Sequence, residues 1–256
     1  MKKKIEILYG RRVAEEYLKN NHSPKIHKLI LSESNQQQLN EKLSHLAKDR
    51  SVPIEILPPY KFADLTTHIP HTQGVLIHVE KKILSKDYIS KYCQSSTSQD
   101  LIIMLDHIED SNNLGAILRI AGFYGVKMII APKDRAVSLN PAVEKIAAGA
   151  LSFVQYVEIN NLTQSIEFLK KHDYWVVGTS LKASSIEASQ FDFPPKTVLV
   201  IGNEHKGLSR LVEKNCDFLI KIDGTGPIQS LNAAISTAIF TNQFFNKQKS
   251  GDKVAN

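Results

Sequence analysis

From residue 101 onward, short apolar runs alternate with segments of helical period, and this alternation restricts the fold more than any other feature of the chain. Strands separated by helices cannot pair through hairpins. They form a mostly parallel sheet covered by helices on both faces. The pattern predicts strands at 101–105, 127–131, 153–157, 174–179, 198–201 and 218–222. It predicts helices at 113–124, 141–150 and 162–171, a short one carrying Leu208, Leu211 and Val212, and a last one from 230 to about 247. In such open sheets ligands bind beyond the carboxyl ends of the strands. Polar residues that follow a strand are therefore the candidates for chemistry.

The first part of the chain reads as a smaller α/β unit spanning 1–82. A helix is expected at 11–18 and a strand at 26–31. An amphipathic helix follows at 36–48, with Leu39, Leu43, Leu46 and Ala47 on one face. A short strand at 52–56 is stopped by Pro58-Pro59, a brief helix covers 60–66, and a third strand covers 74–79. No catalytic constellation is visible there, so a binding role is expected. The polar run Ser95-Ser96-Thr97-Ser98-Gln99 marks 83–100 as a linker. The second, larger domain is then 101–247, and 248–256 is expected to be a polar, disordered tail.

At 256 residues the chain suits one large domain or two smaller ones. No apolar run approaches the ~18 residues that span a bilayer. The basic start Met1-Lys2-Lys3-Lys4 is followed by too few apolar residues, before Tyr9-Gly10-Arg11-Arg12, for a secretory signal. A soluble cytoplasmic protein without a membrane partner is expected. Cys93 and Cys216 fall in different expected domains and read as free thiols, and no histidine pair has ligand spacing, so no metal site is expected. The formal net charge of +6 favours a polyanionic partner such as RNA, though only modestly.

Three polar stretches sit where the sheet would present strand ends. The first is Asp106–Arg119, DHIEDSNNLGAILR. Asn112 or Asn113 there is either a helix N-cap or a functional amide. Arg119 points away from the stripe of Leu114, Ile117, Leu118 and Ala121, so it is either a solvated helix arginine or a ligand for phosphate or carboxylate. The second is Gly202-Asn203-Glu204-His205-Lys206-Gly207, which lacks both the dinucleotide and the P-loop spacing. Glu204 could partner a helix dipole, or orient an arginine or a ribose. The third is Ile222–Asn232, whose glycines let backbone approach a ligand closely. Ser230 and Asn232 straddle the expected helix start, as N-caps or as polar contacts.

Taken in order, these stretches resemble the motifs of the SpoU family of RNA ribose 2′-O-methyltransferases, of the SPOUT class. The resemblance is carried by Asn113-Leu114-Gly115-Ala116-Ile117-Leu118-Arg119, by Gly202-Asn203-Glu204 with Gly207, and by Ser230-Leu231-Asn232. An intermediate segment, Lys145-Ile146-Ala147-Ala148-Gly149-Ala150, fits the same pattern. Tyr9-Gly10-Arg11 and Gln73-Gly74-Val75 resemble the family's substrate-binding domain, which is related to a ribosomal L30-type protein. By architecture the chain is most similar to the bacterial enzymes that methylate a guanosine ribose in 23S rRNA.

The resemblance implies an α/β fold with a C-terminal trefoil knot and a small L30-like N-terminal domain. It implies S-adenosylmethionine (SAM) as methyl donor, held by Thr179, Gly202, Ile222 and Leu231, largely through backbone. It implies a catalytic and RNA-facing group of Asn113, Arg119, Glu204, Ser230 and Asn232, in which Glu204 and Asn113 hold the arginine fork. The implied substrate is structured RNA, rRNA first and tRNA second, and the implied assembly is a homodimer through the C-terminal domain. One departure stands out. The family's Ile-Pro-Met is here Ile222-Asp223-Gly224, so the Pro-Met wall is missing and cofactor affinity is at issue. Two other classes compete: an RNA-binding protein that kept the fold without catalysis, and a nucleotide-dependent Rossmann enzyme, which the missing glycine fingerprint disfavours.

Overall fold

The structure, a computed structural model, describes residues 5–69, 71–80, 84, 86–96 and 98–254. The basic start at 1–4, Lys81-Lys82 and the last two residues of the polar tail lie outside the described residues. The elements begin with β1 (Ile5–Tyr9), α1 (Arg11–Lys19), β2 (Ile26–Ser32), α2 (Gln37–Asp49), β3 (Ile54–Leu57), α3 (Pro59–Leu65) and β4 (Val75–Glu80). They continue with α4 (Lys86–Ser95), β5 (Asp100–Leu105), α5 (Ser111–Tyr124), β6 (Met128–Pro132), α6 (Pro141–Ala147), β7 (Gln155–Ile159) and α7 (Leu162–Lys170). The chain ends with β8 (Trp175–Thr179), β9 (Ile186–Glu187), β10 (Lys196–Ile201), α8 (Arg210–Lys214), β11 (Phe218–Lys221) and α9 (Ala233–Val254).

These form two compact units. The first joins Met1–Lys82 with Leu139–Phe153. Its four-stranded sheet has the order β1-β4-β2-β3. The β2–β3 pair is parallel, and β4 runs antiparallel to both β1 and β2. Alternation sorts the side chains: Leu8, Leu29, Leu31, Val75, Ile77 and Val79 meet the apolar faces of α1 and α2. Tyr9, Ile30 and Leu76 point to the other face, where Phe62 of α3 covers them. Strand β1 was not anticipated from the sequence; it is short and is held by its ladder with β4. The family-like segment from Lys145 to Ala150 belongs to this unit. Helix α6 buries Val143, Glu144 and Ala147, then stops as Ala148 takes a left-handed conformation, which is why it is shorter than its apolar pattern suggests. Lys145 donates to the His71 carbonyl at 3.1 Å and lies over the Tyr9 ring.

The second unit joins Ile83–Ser138 with Val154–Asn256. Its seven-stranded sheet has the order β7-β6-β5-β10-β8-β11-β9, and every pairing is parallel. Ile102, Met104, Met128, Ile130, Val176, Val198 and Val200 pack with residues of α4, α7 and α8. The alternate residues Ile103, Leu105, Ile129, Val177 and Leu199 are as deeply buried, so the second face is covered too. Residues 83–100, read as linker, include α4, whose Ile89, Tyr92 and Cys93 enter this core. The two-residue edge strand β9 was also not anticipated, and α9 runs on to Val254, into the polar segment expected to be disordered. Strands β5 and β10 lie side by side with Leu105 opposite Ile201, and the Asp106 N–H continues the ladder to the Ile201 carbonyl at 2.8 Å. The loops that leave these two strand ends therefore start as neighbours.

Candidate active site

Three loops of the second unit converge: the one from β5 to α5, the one from β10 to α8, and the one from β11 to α9. At the first, Asp110 is the N-cap of α5, accepting the Asn112 N–H at 2.9 Å. Neither asparagine is the cap, contrary to one reading of the sequence. With that donor satisfied, Asn113 is free to act elsewhere. It is buried, and its amide donates to Glu204 Oε1 at 2.8 Å. The same oxygen accepts the N–H of Ala233, first residue of α9, at 3.1 Å. One carboxylate oxygen thus ties together the starts of α5 and α9 and the turn after β10. Its position at the N-terminus of a long helix is also electrostatically favourable.

The turn itself is built by Asn203. Its backbone exchanges two hydrogen bonds with Gly207, at 3.0 and 2.9 Å. Its side-chain oxygen accepts the N–H groups of His205 and Lys206, and its amide donates to the His107 carbonyl at 2.9 Å. Gly207 has φ +67°, and a Cβ on Gly202 would fall 2.5 Å from the Gly207 carbonyl carbon. Gly202 is needed for the turn to close on itself. Beneath it, the fully buried Asp106 accepts the Ser209 N–H at 2.6 Å and contacts the His107 ring, bracing the entry to α8. The sequence reading did not single out Asp106, Asp110 or Asn203. The signal was available: each is a short polar side chain at a strand end or just before a helix, the type that bonds local backbone.

A cavity of about 760 Å³ opens beside this turn. The four residues expected to hold the cofactor, Thr179, Gly202, Ile222 and Leu231, all line it, as do Glu204 and Ser230. Thr179 Oγ1 accepts the Gly202 N–H and donates to the Val200 carbonyl, which joins the ends of β8 and β10. Asn232 is the cap of α9, accepting the Ile235 N–H at 2.7 Å. Arg119 is not brought to Glu204: it is exposed on α5, with no ion pair among the described residues. The expected arginine clamp by Glu204 and Asn113 is corrected accordingly. Six residues beyond Asn113, Arg119 stands about 600° around and about 9 Å along the helix, on another face. Asp223 pairs with Lys221 at 2.9 Å, and Lys182 pairs with Glu213. Among the described residues no group of three or more His, Cys, Asp or Glu could hold a metal ion, and no helix is long and apolar enough to cross a membrane.

A model of the SpoU rRNA methylase family matches residues 100–242, and one for RNA 2′-O ribose methyltransferase substrate binding matches residues 7–84. The chain belongs to the SpoU family. It is 32% identical over 237 residues to the 23S rRNA (guanosine-2′-O-)-methyltransferase RlmB of Coxiella burnetii, covering 92% of this chain and 93% of that one. It is 31% identical over 249 residues to YacO of Bacillus subtilis, assigned to the TrmH family of tRNA/rRNA methyltransferases, covering 97% and 98%. Among solved structures, the SpoU methyltransferase AviRb of Streptomyces viridochromogenes, in complex with its cofactor AdoMet, superposes with a TM-score of 0.79. The identity is 21%, covering 96% of this chain and 91% of that one. The fold is that of the SpoU methyltransferases, and the family's chemistry is RNA 2′-O-methylation.

Proposed function

We propose that this SpoU-family protein methylates a ribose 2′-hydroxyl of rRNA, a guanosine first, with SAM as donor. The observation that carries the reading is the cavity lined by the second and third family segments, with Glu204 tying both of them to Asn113 of the first. Its volume lies in the range of small-molecule sites. Ile201, Ile222 and Leu231 offer apolar wall, and residues 202–207 and 222–224 bring backbone to it. Thr179, Gly202, Ile222 and Leu231 would hold the cofactor. Bound there, SAM supplies an electrophilic methyl group.

A ribose hydroxyl is a weak nucleophile and has to be positioned while its charge develops. A guanidinium is a poor general base, so the part of Arg119 is to bind the target phosphate or steady the alkoxide. Its exposure leaves the guanidinium free for RNA. Ser230, on the cavity rim, and the amide of Asn232, whose oxygen is used by the cap, would orient the ribose. Asn113 and Glu204 set the turn rather than the arginine. Residues 1–82 would select the RNA, as the match to the substrate-binding model supports. A cytoplasmic enzyme follows from an RNA substrate of this kind. The trefoil knot is part of the same reading; the order β5-β10-β8-β11, in which successive strands are not neighbours, is compatible with it. A homodimer through α5 and α9 is supported by Phe123 and Ile235, which are 82% and 50% exposed on these contacting helices. A tRNA substrate is the second reading, favoured by the assignment of YacO.

Incubating the purified protein with methyl-tritiated SAM and unmodified bacterial 23S rRNA or tRNA transcripts, then mapping 2′-O-methyl positions, tests the proposal. Label should enter rRNA at one ribose. Arg119→Ala should lower transfer by roughly 10²–10³-fold with SAM affinity retained. Near wild-type transfer by Arg119→Ala would remove that residue from the chemistry. SAM binding without transfer, or no SAM binding at all, would favour the non-catalytic RNA-binding reading.

A further inference from the structure

The charged side chains around the cavity are almost all spoken for. Lys182 pairs with Glu213, Lys221 pairs with Asp223 at 2.9 Å, and Glu204 accepts from Asn113 and from the Ala233 N–H. Lys206 is different. It lines the cavity, is exposed, and has no acidic partner among the described residues. Its backbone is pinned: its N–H donates to Asn203 Oδ1 at 3.2 Å, one residue before the Asn203–Gly207 bridge closes. Two residues before it, Glu204 is committed to Asn113 and Ala233, so Lys206 stands at the exposed tip of this turn beside the cavity. An uncompensated lysine on a fixed turn, rather than on a mobile loop, is a positioned positive charge.

We propose that Lys206 binds a backbone phosphate of the RNA adjacent to the ribose being methylated. This deepens the function proposed above and rests on it. Every ribose in a chain has a phosphate on either side, so a 2′-hydroxyl brought to the cavity carries an anion to its mouth. Lys206 has the chemistry to meet it as a point charge. Such a contact carries no base information; it fixes the register of the strand over the site. Its signature is electrostatic: each phosphate neutralised adds about 0.7 to 0.9 to the slope of log affinity against log salt.

The experiment uses the full chain and a fluorescein-labelled 23S rRNA transcript, with binding measured across a salt series, independently of methyl transfer. Lys206→Ala should weaken binding roughly tenfold near 0.1 M salt and reduce the slope by about 0.7 to 0.9. Lys206→Glu should weaken it further, and Lys206→Arg should restore both affinity and slope. In methyl transfer, the loss should fall on KM for RNA, and SAM affinity without RNA should stay unchanged. An unchanged salt slope in Lys206→Ala overturns the assignment, and so does a loss of SAM affinity that matches the loss of RNA affinity. If the wild type binds RNA but transfers no methyl group, the proposed function fails while the salt series still decides the role of Lys206.

Discussion

Glu204 Oε1 accepts two N–H groups, from Asn113 and from Ala233, that lie far apart in sequence. An amide oxygen could accept both as well, whereas an aliphatic side chain could accept neither. Asn113 and Ala233 are both buried, so losing the acceptor leaves their donors poorly placed for water. Glu204→Ala should therefore cost about 1–2 kcal/mol of stability and most of the methyl transfer, by loosening three loops at once. Glu204→Gln should keep the stability within about 1 kcal/mol. Urea unfolding of the two variants beside the wild type checks this. Equal losses in both would mean that charge at the start of α9, rather than hydrogen bonding, is what Glu204 contributes.

At the scale of elements, the site depends on how the turn after β10 closes. A methyl group at Gly202 would meet Gly207 backbone, which cannot swing aside as a side chain could. Gly202→Ala should force 203–207 away from the cavity and lower SAM affinity by on the order of tenfold or more. The parallel sheet should still form, so far-UV circular dichroism should be preserved; calorimetric titration with SAM reads the loss. Retained affinity would show that the turn can close with a side chain at 202. The elements themselves were legible from the sequence because strands buried on both faces leave continuous apolar runs, as in β5, and helices such as α5 leave a clear stripe. Less legible were β1 and β9, whose existence depends on pairing with β4 and β11, and the end of α6, which Ala148 sets by its left-handed backbone. The four residues that the family resemblance implies for the cofactor fall on one cavity. The partner of Glu204 could not be read, because helix phase and loop closure, not residue type, decide that Asn113 reaches it and Arg119 does not.

For the whole molecule, the segment Leu139–Phe153 lies in sequence between elements of the second unit yet packs within the first. Deleting 1–82 would uncover Val143, Glu144 and Ala147, so the role of the N-terminal unit is better tested by substitution in the full chain. Glu144 is the exposed flank of that argument in energetic terms: it is fully enclosed, and neither carboxylate oxygen has an ordinary hydrogen bond among the described residues. Burial pushes its carboxyl from 4.5 up to about 8; the Tyr17 hydroxyl opposes this in part, and Glu6 adds to it. Between those two values the folded protein holds a proton that the unfolded chain releases. Rising pH then favours the unfolded state, by about 1.4 kcal/mol per pH unit. The contribution is fully present below pH 4.5 and is lost by about pH 8. Glu144→Gln keeps the shape and removes the titration. It should be more stable than the wild type at pH 8, with the difference shrinking as the pH falls toward 5. Urea unfolding of both proteins at several pH values measures that difference, and parallel curves would mean that Glu144 is buried without being protonated.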